Sequence, residues 1–410
     1  MNEPDVQAPE LLERIRRPGS DRVLDALEAA EGEGRFVGGC VRDALLDRPL
    51  SDIDIATPLK PEAVAAALEA AGIKAIPTGL KHGTITAVAD HNTFEITTLR
   101  LDVETDGRHA TVAFTGDWRA DAGRRDFTMN ALLLDRHGAI TDYFGGLADA
   151  RAGRVRFIGD AAQRIAEDVL RILRFFRFHA HYGQGAPDAE GLAACARLAD
   201  RIPSLSGERV REETLKLLAA PDPVAVWHAM VAAGVARQVI GRDGAVERLA
   251  ALVAMGVATG VTPAGDPVLR LASLLDDAGQ AESVAERLRL SNRQGERLVA
   301  AVELRDLLEG APVGAEFRRL LYHHGADAVA DAAIAALAAD PAAPWAAWQE
   351  ELGRWQPPKL PIGGRDVREL SGAEGPEVGR LLKAVEAWWI DGDFQADKEA
   401  CREKLTSLLG

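Results

Sequence analysis

Cysteine is scarce in the 410-residue chain, basic charge is in the minority, and long apolar runs are missing. The three cysteines, Cys40, Cys195 and Cys401, lie far apart with no C-x-x-C pair. That spacing argues against a disulfide frame or a zinc site and leaves isolated buried thiols as the expectation. Lysine and arginine total 48 against 63 acidic residues, a formal charge of −15. Such a chain does not coat nucleic acid indiscriminately, so any grip on a polyanion must come from a local basic patch. No segment reaches about 18 uninterrupted apolar residues, the length a membrane helix needs. Even the Ala-rich stretch 326–346 is cut by Asp327, Asp331, Asp340 and prolines. Met1 to Arg17 carry an early acidic pair and no apolar signal core, so a cytoplasmic protein is expected. No fixed-period repeat is found. The C-terminal half also lacks a His-Asp cluster, since His323 and His324 run into Gly325, and a fused phosphohydrolase activity is not supported.

What is present suits an ordered, multidomain body: 47% of residues are hydrophobic, and the length exceeds what one core usually organises. Between Arg35 and about Ile140, strand-like runs alternate with helices. Arg35 to Val37, Ile53 to Ala56, Gly83 to Val88, Thr93 to Leu99 and Ala131 to Leu134 read as strands, and Pro61 to Ala71 as a helix with proline in its first turn. The polar stretch Leu101 to Phe114 reads as a mobile loop. After Gly145-Gly146 the apolar spacing lengthens to a period near 3.6 and stays helical. The expected division is an α/β head over 1–150, a helical segment over 151–240, and a helical remainder over 241–410.

Four clusters carry the chemistry. In Phe36-Val37-Gly38-Gly39-Cys40-Val41-Arg42-Asp43 a strand runs through two glycines into a helix start, where amides can approach a phosphate and Arg42 can add a charged fork. An ordinary strand-to-helix turn would look the same. In Ser51-Asp52-Ile53-Asp54-Ile55-Ala56, alternation puts Asp52 and Asp54 on one strand face. Carboxylates so close repel unless a cation sits between them, and hard oxygen ligands favour Mg²⁺. A solvated acidic edge strand is the plain alternative, and Glu95 is either a third carboxylate or a solvent-facing acid. Arg124-Arg125-Asp126-Phe127-Thr128-Met129-Asn130-Ala131 packs two cations and an anion ahead of an apolar strand. There Arg125 can bridge a triphosphate and a domain interface, and Arg124 or Asp126 can form a structural ion pair.

The fourth cluster is one long helix expected over Gln163 to Tyr182, with Ile165, Val169, Ile172, Leu173 and Phe176 on its apolar stripe. Its charged face offers Asp168 and Arg171 as an acceptor and a donor fork, with Arg174 and Arg177 further along. Such a pair can hydrogen-bond a base edge, and the same spacing also suits a surface laced with ion pairs. His179 and His181 point in different directions and read as packing or RNA-facing residues, and His82 as a loop hydrogen-bonder.

In order and spacing, Gly38-Gly39-Cys40-Val41-Arg42-Asp43, Asp52-x-Asp54, Arg124 to Ala131 and Glu167-Asp168-Val169-Leu170-Arg171 resemble the class II tRNA nucleotidyltransferase and bacterial poly(A) polymerase family. Asp142-Tyr143-Phe144-Gly145-Gly146 resembles that family's link from head to neck. The resemblance covers about residues 20 to 215. It implies an α+β fold, with a polymerase β-like nucleotidyltransferase head followed by an all-helical neck, body and tail. It also implies Mg²⁺ as cofactor, held by Asp52 and Asp54, with Gly39, Arg42 and Arg125 contacting the nucleotide and Asp168 and Arg171 reading its base. Arg174 and Arg177 would complete the pocket or hold the primer. CTP and ATP are then the expected substrates and the 3′ end of tRNA the expected partner, with no DNA and no membrane. Two-metal phosphoryl transfer needs positioning and charge neutralisation rather than a nucleophilic Ser or Cys. A poly(A) polymerase, a CC-only or A-only enzyme, or an inactive RNA-binding module would carry similar motifs.

Overall fold

The computed structural model describes residues 6–79, 83–105, 110–259 and 265–409. The chain divides into two compact units, Met1–Asp243 and Gly244–Gly410.

Among the described residues the first unit has ten strands: β1 (Val6–Gln7), β2 (Arg35–Val37), β3 (Ile53–Thr57), β4 (Lys74–Gly79), β5 (Thr84–Ala89), β6 (Asn92–Thr98), β7 (Arg100–Thr105), β8 (Ala110–Phe114), β9 (Leu133–Leu134) and β10 (Ala139–Thr141). Eight form one mixed sheet in the order β1-β10-β9-β2-β3-β6-β5-β4. Strands β3 and β6 run parallel, with Ile53 opposite Phe94 and Asp54 opposite Glu95. The alternation expected of β3 is kept: Ile53 and Ile55 are buried, Asp52 is exposed and Asp54 half-buried. Beneath the isoleucines the core gathers Phe36, Phe94 and Ile96 with Leu24 and Leu27 of helix Ser20–Ala29 and Leu68 of helix Pro61–Ala70. Burying each such side chain is worth about 1.5–3 kcal/mol, which locks the register and therefore the face that presents the acids. All three cysteines are buried thiols, as expected.

Three expectations are corrected. Leu101 to Phe114 is not a loop throughout: β7 and β8 pair antiparallel, with Arg100 opposite Phe114, while residues 106–109 of that expectation lie outside the described residues. β-Branched residues such as Val103, Thr105, Thr111 and Val112 favour strand pairing where few large apolar side chains announce it. The strand expected over Ala131 to Leu134 is β9 and begins only at Leu133, because Thr128–Asn130 forms a 3₁₀ turn ahead of it. The helix expected over Gln163 to Tyr182 is two helices, Ala161–Glu167 and Arg171–Tyr182. At the break Asp168 is extended (φ −148°, ψ 107°). Its Oδ1 accepts from the Leu170 amide at 3.1 Å, a local side-chain bond that competes with the helix ladder. The apolar stripe runs on across the break, with Ile165, Val169, Ile172, Leu173 and Phe176 all buried, which is why periodicity did not reveal it. His82 lies outside the described residues.

An aromatic cluster joins the segment after Asp126 to the second of these helices. Phe127 packs against Phe157 and Phe178 with ring centroids 5.0 Å apart in each case, and Phe157 stacks on Phe175 at 5.5 Å. The described residues of the second unit form helices, with one core around Phe317, Leu321 and Trp348 and another around Val367, Leu381, Trp389 and Leu405. Among the described residues no helix is long and apolar enough to cross a membrane.

Candidate active site

The glycine turn is shaped around an arginine. Gly38 follows β2 at φ 70°, ψ −125°, and a Cβ there would lie 2.8 Å from Nη1 of Arg125. Glycine thus satisfies both the backbone conformation and the close approach. Arg125 also reaches Asp121 Oδ2 at 3.3 Å and the Asn130 carbonyl at 3.4 Å, long contacts that leave it loosely held. Its buried Nε finds no hydrogen-bond partner among the described residues, an orphaned donor of the kind a phosphate oxygen satisfies.

The turn is stitched to the acids. Cys40, in the helix Gly39–Leu45 that follows Gly38, directs its Sγ at the backbone oxygen of Asp54, 3.7 Å away. Burial pushes the Asp54 carboxyl up to about 6, with Glu95 and Asp52 adding to the shift and Arg125 opposing it. Glu95 faces solvent on the neighbouring strand. Asp54 is therefore a carboxylate with more negative charge around it than nearby cations neutralise, and a hard cation fits that donor set. Among the described residues no group of three or more His, Cys, Asp and Glu forms a ready-made metal cage.

Arg42, Arg174 and Arg177 are more committed to the protein than the sequence suggested. Arg42 is 6% exposed. Its guanidinium donates to both Asp43 oxygens (2.9 and 2.8 Å), to Asn130 Oδ1 at 2.6 Å and to the Tyr182 hydroxyl at 2.7 Å, and it lies 4.1 Å from the Tyr182 ring centre. It braces the glycine turn against helix Arg171–Tyr182. Arg174 donates twice to Asp126 Oδ2, at 2.8 and 2.5 Å. Burial would raise the Asp126 carboxyl, but the Arg174 charge and the Asn130 hydrogen bond overcome it and hold the group below its usual range. Arg177 turns away from the expected pocket: its Nε donates to the buried carboxylate of Glu213 at 2.5 Å, and its guanidinium covers Phe178 at 4.6 Å. An acid buried to 5% exposure demands such a partner, and this demand decides the direction of Arg177.

Asp168 and Arg171 also depart from expectation, since the break separates them from a common helix face and each is tethered elsewhere. Nη2 of Arg209 meets Asp168 Oδ2 at 2.8 Å and Oδ1 at 3.1 Å. Nη1 of Arg171 donates to Glu167 Oε2 at 2.6 Å and to the Arg164 carbonyl at 2.7 Å. His179 is buried and His181 half-buried, with ring nitrogens near the carbonyls of Gly185 and Lys216 respectively.

These groups surround a cavity of about 570 Å³. Of the expected site residues, Gly39, Arg42, Arg125, Asp168, Arg171 and Arg174 line it, whereas Asp52, Asp54 and Arg177 do not. Arg100 and Arg209 line it without having been singled out beforehand. No local pattern marks either: Arg209 sits in the first turn of an ordinary amphipathic helix, Gly207–Leu218, and Arg100 opens the strand whose neighbourhood read as a loop. Seven wall residues are arginines, facing two acids, Asp126 and Asp168. An overall acidic chain thus keeps a local basic chamber suited to a polyphosphate.

Comparison with known proteins gives the same picture. Residues 34–156 match the poly A polymerase head domain family, and residues 187–240 match the family described as the probable RNA and SrmB-binding site of polymerase A. The mitochondrial CCA tRNA nucleotidyltransferase 1 of Danio rerio is 34% identical over 400 residues, covering 92% of this chain and 87% of that protein. A CCA-adding enzyme of Limosilactobacillus fermentum is 31% identical over 395 residues, covering 94% and 96%. Among solved structures, the Bacillus stearothermophilus CCA-adding enzyme in complex with CTP superposes with a TM-score of 0.74 at 27% identity, covering 96% of this chain and 98% of the other. With motif order, mixed-sheet fold and near full-length similarity in agreement, the chain belongs to the family of CCA-adding tRNA nucleotidyltransferases.

Proposed function

We propose that this enzyme completes or repairs tRNA by transferring CMP and AMP from CTP and ATP to the 3′ end, releasing pyrophosphate. The observation that carries the reading is the arginine-walled cavity set beside a glycine turn whose helix is bonded to the backbone of Asp54. In this reading residues 1–150 are the catalytic head, 151–240 the nucleotide-reading neck, and 241–410 a helical body and tail for tRNA. We assign the reaction to the cytoplasm, where unfinished tRNA would meet the enzyme.

Arg125 offers its buried Nε to the triphosphate, and the other wall arginines add positive potential. Arg42 and Arg174 serve chiefly by holding the chamber in shape, since their donors go to Asp43, Asn130 and Asp126. In this reading Asp168 and Arg171, both on the cavity wall, supply the acceptor and the donor that read a base. Cytosine and adenine each present an amino group beside a ring nitrogen acceptor, whereas uracil and guanine reverse that order. One acceptor and one donor can therefore select the two correct bases without a template. Asp52 and Asp54 are the residues that would hold Mg²⁺, with Glu95 alongside. Bound there, the ion supplies charge neutralisation at the α-phosphate and lowers the pKa of the attacking ribose hydroxyl.

The test is incorporation of labelled CTP and ATP into tRNA lacking its CCA end. Ordered addition of two CMP and one AMP is expected from the CCA terminus itself. Homopolymeric adenine tails on unrelated RNA would instead make the protein a poly(A) polymerase.

A further inference from the structure

A carboxylate that reads a base must point one way, yet Asp168 lies outside the two helices that flank it. Its extended backbone leaves helical geometry with no say over its side chain. Among the described residues two contacts hold it. The Leu170 amide donates to Oδ1 at 3.1 Å, and Arg209 Nη2 reaches Oδ2 at 2.8 Å and Oδ1 at 3.1 Å. Arg209 is carried by helix Gly207–Leu218, and that helix is itself pinned, because its Glu213 meets Arg177 at 2.5 Å and Arg174 at 3.8 Å. The donor therefore has a rigid support 41 residues beyond the acid it orients. Both side chains keep about a quarter of their surface open, 25% for Asp168 and 29% for Arg209, and both line the cavity, so a ligand edge can reach the carboxylate while the arginine holds it.

We propose that Arg209 is a specificity-determining positioning residue, which fixes the Asp168 carboxylate so that it accepts from the amino group of cytosine or adenine and repels the carbonyl oxygen that uracil or guanine places there. The inference rests on the reading of Asp168 as base acceptor. Without Arg209 the carboxylate is free to swing aside, and an opposing carbonyl no longer meets a fixed negative charge. A purely structural arginine would affect all nucleotides alike, whereas a positioning one changes their ratio.

The experiment compares kcat/KM for CTP and UTP on tRNA lacking its CCA end, using the full chain and its Arg209→Gln, Arg209→Lys and Asp168→Ala variants. Arg209→Gln is expected to narrow the CTP-to-UTP ratio by about 10- to 100-fold, the discrimination typical of a well-placed base contact. Arg209→Lys should recover part of the ratio, because it keeps the charge but not the fork. The double variant Asp168→Ala, Arg209→Gln should discriminate no worse than Asp168→Ala alone, as expected of residues acting through one another. Equal loss for CTP and UTP in Arg209→Gln overturns the proposal, as does an unchanged ratio while Asp168→Ala collapses it. If Asp168→Ala itself keeps the ratio, the base-acceptor reading fails first and this inference with it. Should Arg209→Gln not fold, Arg209→Lys decides, and a wild-type ratio there overturns the proposal.

Discussion

The acids of the β3 strand and the acids around the helical wall of the cavity are the same chemical groups in opposite circumstances. Asp126 and Glu213 each meet an arginine at 2.5 Å. Among the described residues Asp54 forms no ion pair; it has two acidic neighbours and a carboxyl pushed up to about 6, chiefly by burial. A paired acid is scaffolding, because its charge is already spent on a protein cation. An acid left with surplus negative charge is one that an external cation can satisfy. The contrast separates residues that shape the chamber from residues positioned for chemistry.

The largest expected effect comes from removing the surplus charge. Asp54→Asn should cut nucleotide incorporation by about 10³-fold, the scale of losing a principal electrostatic contact, while leaving the melting temperature unchanged or raised. Single-turnover assays and thermal denaturation on the same preparation check this, and a variant retaining wild-type turnover breaks the comparison. The converse is expected of a paired acid. Glu213→Ala strands Arg177 and should cost about 3–5 kcal/mol of stability, the usual penalty for breaking a buried pair. Urea titration reads it directly, and a loss under about 1 kcal/mol would move Glu213 into the surface class of ion pairs.

Gly38→Ala sharpens the boundary between the two regions. It forces a Cβ against Arg125 at 2.8 Å on a backbone with φ 70°. A cost of about 1–3 kcal/mol is expected for that strained conformation. The KM for CTP should rise with it, since Arg125 must move, and an unaltered KM would detach Arg125 from nucleotide binding.

The smallest effect is in the pH dependence. Asp54 has a folded value raised above its ordinary 3.8, so its ionisation is a cost to the fold that is fully present above about pH 6 and disappears as pH falls toward 4. In metal-free protein this group therefore contributes a gain in stability on acidification through that window. Added Mg²⁺ should raise the melting temperature at pH 8, and the increment should shrink as pH drops through about 6, because a proton then competes for the same oxygens. Asp54→Asn should abolish both trends. A magnesium increment independent of pH between 5 and 8 would place the ion elsewhere.

Much of the head was legible because its signals are local. Ile53 and Ile55 alternate with Asp52 and Asp54, and a two-residue period needs no tertiary knowledge to be assigned to faces. Gly39, Arg42, Arg125, Asp168, Arg171 and Arg174 were found through the joint order of their motifs, and all line one cavity. The β7–β8 ribbon was missed because Asp102, Glu104, Asp106, Gly107 and Arg108 make the stretch read as polar, whereas backbone pairing of Arg100–Thr105 with Ala110–Phe114 defines it. The helix break was missed because the buried stripe from Ile165 to Phe176 passes across it undisturbed.

By itself the amino-acid order determined the mixed α/β head, the helical remainder, the face of β3 that carries the acids, and the family. These depend on periodicity and on motif spacing, which act over a few residues at a time. Tertiary structure alone decided which cations were already taken: Arg177 by Glu213, 36 residues away, Arg174 by Asp126, 48 away, and Arg209 by Asp168, 41 away. Charge pairing depends on distance in space, and a buried carboxylate accepts the nearest guanidinium whatever its place in the chain.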